Sequence, residues 1–151
     1  MNELESGTAR ETVLRRAAVV VAATFGVVGV LGFVPGVTTD LDDLSFAGHG
    51  SGAQLLGLFD VSVLHNLVHL AFAAAGLLLA RSASGARGFL IGGGAIYLVL
   101  ALYGALLERH SDANFVPLDR ADNWLHLGLG LVMILTGLVL SERDRIEPAA
   151  H

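Results

Sequence analysis

The chain has 151 residues and a net charge of −5, with 54% of its residues hydrophobic and only 15% charged, whereas a water-soluble domain carries about 25% charged residues. That balance excludes an ordinary soluble domain, and the lack of any basic run excludes a nucleic-acid partner. With no cysteine in the chain, disulfides and thiolate metal sites are excluded too, so any metal must use histidine or carboxylate.

All nine basic residues are arginine, and Ala, Gly and Val abound, which points to a GC-rich genome and so to a bacterium. Nineteen glycines suit membrane helices, where they let neighbouring backbones approach closely. The first stretch, with Glu3, Glu5, Arg10, Glu11, Arg15 and Arg16, is mixed in charge. The apolar run behind it is too long for a signal peptide and lacks a small-residue cleavage site, so it reads as a retained first span.

Because a bilayer core takes about 20 apolar residues of helix, spans are sought in the gaps between charges. Arg16 and Asp40 are separated by 23 uncharged residues, and Pro35 with Gly36 shortens the first span to 16–34. The gaps from Asp60 to Arg81, Arg87 to Glu108 and Asp122 to Glu142 hold 20, 20 and 19 uncharged residues, which gives spans at 61–80, 88–107 and 123–140. The expected fold is all-α, an integral membrane four-helix bundle in one domain over residues 1–151.

Arg10, Arg15, Arg16, Arg81, Arg87, Arg143 and Arg145 fall on one side of these spans, and Arg109 and Arg120 on the other. The arginine-rich side is expected to be cytoplasmic, which makes this a multi-pass protein of the bacterial cell membrane with both termini inside. The link at 82–86 then joins antiparallel neighbours in the cytoplasm, and the longer outer connections are about 35–59 and 108–121.

The first outer connection carries Asp40, Asp42 and Asp43, a glycine-rich stretch with His49, and then Leu55, Leu56, Leu58 and Phe59. The apolar piece is expected to lie along the membrane surface as a short interfacial helix. The aspartates lack the glycine and terminal glutamate of an EF-hand, so they read as solvated loop charge. A shift of 61 residues superposes Leu64 and His65 on Leu125 and His126, and Gly76 and Leu77 on Gly137 and Leu138, which suggests two repeated helical hairpins. Gly92, Gly93 and Gly94 follow no strand and carry no lysine, so they read as close helix packing rather than a phosphate loop, and Tyr97 and Tyr103 as packing and interface residues. The run from Glu142 to Arg145 reads as an exposed polar helix end.

Ionisable groups inside a membrane are costly, so each needs a reason. His65 and His126 lie five and four residues past Asp60 and Asp122, about 6 to 8 Å below the outer boundary. His69 shares a helix face with His65, one turn deeper. Asp60, Asn66, Asp122, Asn123 and Trp124 collect at the same end and are expected around the histidines, with Trp124 as an interfacial anchor.

Four readings fit that cluster. The histidines can be interhelical hydrogen-bonding groups, with no ligand. They can bind a transition metal or haem, with His65 and His126 opposed and His69 as a third ligand or neighbour, in an electron carrier. They can pass protons or small polar molecules, although only Thr136 and Tyr97 continue a polar path inward. They can also line a quinone or lipid-headgroup pocket with Trp124 and Tyr103. Asn66 stands where the metalloprotease helix has its glutamate, so metal-dependent hydrolysis is not expected.

Three segments carry a family resemblance: LFDVSVLHNLVHLAFAAAGLLLARS at 58–82, FLIGGGAIYLVLALYG at 89–104 and ANFVPLDRADNWLHLGLGLVMILTGLVL at 113–140. In these the sequence resembles a family of small four-helix bacterial membrane proteins known only as a domain of unknown function. The resemblance implies a four-span fold with these histidine motifs, and implies no activity, substrate or ligand residue. No motif identifies a reaction, so the expectation is a non-enzymatic membrane protein, an accessory subunit of a membrane complex, with the haem or metal electron carrier as the alternative. Its expected partners are the lipid bilayer and a membrane-protein partner or a second copy of itself.

Overall fold

The apolar run after Arg16 folds as the second half of a long helix, α1 (Asn2–Leu31), in a computed structural model that describes residues 2–48, 50–107 and 118–140, with side chains from residue 7 onward. His49, Arg109, the segment 142–145 and most of the second outer connection lie outside the described residues. At 30 residues the helix is about 45 Å long, so its charged first turns extend beyond the roughly 30 Å hydrocarbon core. Leu14, Ala18, Ala22 and Phe25 form its buried stripe, while Val20, Val27 and Val30 face outward. α1 stops before Gly32, and the Thr38 hydroxyl donates to the Leu31 carbonyl at 2.9 Å, satisfying one of the end groups the helix leaves open.

The connection after α1 then forms a small antiparallel sheet of three two-residue strands, β1 (Thr38–Thr39), β2 (Gln54–Leu55) and β3 (Phe59–Asp60), in the order β1-β2-β3. A 3₁₀ turn at Leu41–Asp43 lies between β1 and β2. This corrects the interfacial helix expected at Leu55 to Phe59. Leu56 and Gly57 both adopt positive φ, 57° and 65°, a pair that reverses the chain and that no right-handed helix accommodates. Leu55 instead turns inward with Ala53 and Val61, against Val28, Leu31, Val37 and Leu44, and only Leu56 and Leu58 stay exposed. The sheet therefore caps the C-terminal end of α1.

Ser62 caps α2 (Val63–Leu79) by accepting from the His65 backbone N–H at 3.1 Å. A tight turn leads to Ser82, which caps α3 (Ala83–Leu106) by accepting from the Gly85 N–H. Arg15 Nε donates to the Ala80 carbonyl at 3.0 Å and ties α1 to this end of α2. α4 (Arg120–Val139) begins in a capping box, with Asp119 Oδ1 accepting from Asp122 N–H at 2.7 Å and Asp122 Oδ2 from Asp119 N–H at 3.2 Å.

Gly7–Leu31 within α1, α3 and α4 are each long and apolar enough to cross a membrane, and the 17-residue α2 is a shorter apolar helix. The fold is an all-α membrane bundle with a small sheet in the connection between α1 and α2. α1 packs on α2 and α3 on α4, as two antiparallel hairpins that meet through α1–α3 and α2–α3 contacts. Small residues set these approaches: Gly26 faces Ala73, Gly76 faces Ala22 and Phe89, and Gly94 faces the Gly130 carbonyl. Packing of this kind is what holds helices together when lipid removes the hydrophobic drive between them.

Candidate metal centre

The α2 cap fixes His65 in the first turn of its helix, and His69 follows one turn on. His126 comes from the second turn of α4. All three are buried, at 5%, 8% and 3% exposure, and they offer one ligand atom each, all within 4.8 Å of one another. Their rings confirm the convergence: His65 and His69 stand perpendicular with centroids 4.6 Å apart, and His65 and His126 are 6.5 Å apart.

Toward the middle of the helices the imidazoles rest on two aromatic rings backed by a third. Phe25 of α1 stacks on His69 at 5.8 Å, and Tyr97 of α3 meets His126 edge-on at 4.9 Å. Phe25 and Tyr97 stack on each other at 5.2 Å, and Phe72 of α2 closes the group edge-on against both. Every helix of the bundle thus contributes a ring to the site. Deeper still, Met133 is fully buried, and the exposed Thr136 hydroxyl turns back to the Val132 carbonyl at 2.7 Å.

Hydrogen bonding in the cluster is incomplete. Nδ1 of His69 and Nδ1 of His126 are buried and have no hydrogen-bond partner, and neither amide atom of the fully buried Asn66 has one. Buried polar atoms are normally paired, so such a concentration asks for an explanation such as an ion or an ordered water. Imidazole nitrogen suits Zn, Cu, Fe and Ni. Two imidazoles bound to one zinc ion at about 2.0–2.1 Å each lie at most about 4.2 Å apart, nitrogen to nitrogen. The ligand atoms of the triad, all within 4.8 Å of one another, stand slightly wider than that.

The other polar residues expected here divide. Asp122 is 2% exposed and lies one turn above His126 on the same helix face. Asp60, on β3, accepts from Gln54 Nε2 at 2.9 Å, and β3 touches α4. Asn66 fills the space over Gly32, just past the end of α1, and the Asn123 side chain packs on Gly104 of α3. Trp124 is 69% exposed and points away from the cluster. Asp40, Asp42 and Asp43 make no metal-holding group, because the histidine triad is the one such group among the described residues.

Phe25 has no place in the expected site. Its signal is the stripe Ala18, Ala22, Phe25, Gly29, in which one large ring interrupts small residues at helical spacing and has to project toward a partner. Tyr97, read from sequence as a packing residue and as one of two polar groups below the histidines, touches His126.

The family described as Domain of unknown function (DUF4383) matches residues 15–139. No curated protein and no solved structure is significantly similar to the chain.

Proposed function

This chain belongs to the family described as a domain of unknown function (DUF4383), and we propose that its role is to hold one transition-metal ion between His65, His69 and His126 inside the membrane. The observation that carries this reading is the pair of buried, unpartnered Nδ1 atoms on His69 and His126, in a triad whose ligand atoms lie within 4.8 Å. Histidines kept only to bond one helix to another would be making those bonds.

A haem fits less well. The ring of His69 lies against His65 and the ring of Tyr97 against His126, which fills the plane that a macrocycle would need. Three imidazoles leave one coordination position open, as in three-histidine zinc sites. With zinc the centre is redox-silent; with copper it carries one electron and serves a larger membrane complex as an accessory, non-enzymatic subunit.

Cobalt(II) is the simplest probe. Titrating it into metal-free protein in mild detergent is expected to give visible bands of four-coordinate cobalt that saturate at one ion per chain, and a flat titration would refute the site.

We further propose that the protein lies in a bacterial cell membrane with the cluster near the outer face and both termini in the cytoplasm, supported by seven arginines on one side of the spans against two on the other. Tags at Met1 and after His151 should both be protected from protease in right-side-out vesicles; digestion of either reverses the orientation.

A further inference from the structure

Two buried carboxylates stand at the outer end of the bundle without a role in holding the ion. Asp119 and Asp122 are 7% and 2% exposed. Their capping box accounts for two backbone N–H groups, but a cap needs no burial, and the charged groups that act on Asp122 are the carboxylates of Asp119 and Asp60. A buried carboxylate without a basic partner is tolerated as the neutral acid or beside a cation.

Their position is specific. Asp122 precedes His126 by one helical turn on the same face, so the Cβ atoms are about 6 Å apart, and His126 presents a buried Nδ1 with no partner. The other side of the triad is closed by Phe25, Phe72 and Tyr97. A cation that reaches the imidazoles therefore meets oxygen ligands first and an apolar wall last.

We infer that Asp119 and Asp122 form a loading station, through which a divalent metal cation enters from the outer end and is handed to the histidines. The inference rests on the triad being a metal site. Oxygen ligands bind a hydrated divalent ion weakly enough to release it, and the imidazoles below hold the softer transition ions more firmly.

The test is stopped-flow binding of Co²⁺ to the full chain, wild type beside Asp122→Asn. Asparagine keeps an acceptor for the Asp119 N–H, so the capping box survives. A loading station predicts an association rate slower by about 10-fold or more, a dissociation rate that also falls, an unchanged final cobalt spectrum, and recovery of the rate in Asp122→Glu. A dissociation rate that rises at an unchanged association rate would make Asp122 a ligand and overturn the inference, as would two unchanged rates. If the wild type takes up no cobalt, the metal site itself fails and the loading station with it, an outcome distinct from a slow or unaltered variant.

Discussion

His126→Leu is expected to leave the metal-free protein at least as stable as the wild type, while abolishing the stabilisation that metal confers. His126 is 3% exposed, and its Nδ1 has no hydrogen-bond partner. Burying a polar group without a partner costs about 1–3 kcal/mol, and leucine removes that cost while keeping apolar contact with the Tyr97 ring. In the wild type, an ion at 100 times its Kd stabilises the folded state by about 2.7 kcal/mol; the variant loses one of three ligands and with it most of that gain. Unfolding in detergent with and without Zn²⁺ measures both quantities. The opposite pattern, a metal-free variant weakened by more than about 1 kcal/mol and a wild type indifferent to zinc, would show that His126 serves to hold the helices together.

The second large effect is expected at the α3–α4 crossing. A Cβ on Gly94 would lie 2.7 Å from the Gly130 carbonyl oxygen and 2.8 Å from Ile134 Cγ1. Neither helix can yield without separating along its length, so Gly94→Val is expected to destabilise the protein by about 1–3 kcal/mol or more. Gly92 lies in the same glycine run, with nothing within 4 Å of its Cβ position. Gly92→Ala should therefore be neutral or stabilising, by up to about 1 kcal/mol. Unfolding of the pair under identical conditions decides the matter, since equal effects would mean that the glycines act through general helix propensity rather than through this contact. Because the crossing also positions His126, Gly94→Val should lower metal affinity as well.

The helices were legible in the sequence because lipid forbids unpaired backbone and makes the distance between charges a direct measure of span length. That His65, His69 and His126 share one end of the bundle was legible for a related reason, since costly imidazoles at similar depth stand out in apolar spans; that they touch was not, because the rotation of each helix is set by tertiary packing. Other features have no such signature. The charged stretch before Arg16 gave no sign of belonging to α1, because composition rules on where lipid ends and not on where a helix ends. The strands at Thr38–Thr39, Gln54–Leu55 and Phe59–Asp60 are two residues each, too short for an alternating pattern, and positive φ at a leucine, Leu56, is not a preference that sequence announces. The aromatic floor escaped because Phe25 and Tyr97 sit in helices whose rotation is fixed by tertiary packing. Their proximity to the histidines follows from the Gly26–Ala73 and Gly94–Gly130 approaches, which only the assembled bundle reveals.

The most direct test of a metal centre is the metal content of the protein itself, purified without a histidine tag in mild detergent and without chelator, beside a His65→Ala, His126→Ala double variant. About one zinc, copper or iron ion per chain in the wild type, absent from a folded variant, is the expected result. A folded wild type that carries no metal and takes none up when it is supplied would contradict the account, and would leave the three histidines as part of the bundle's packing.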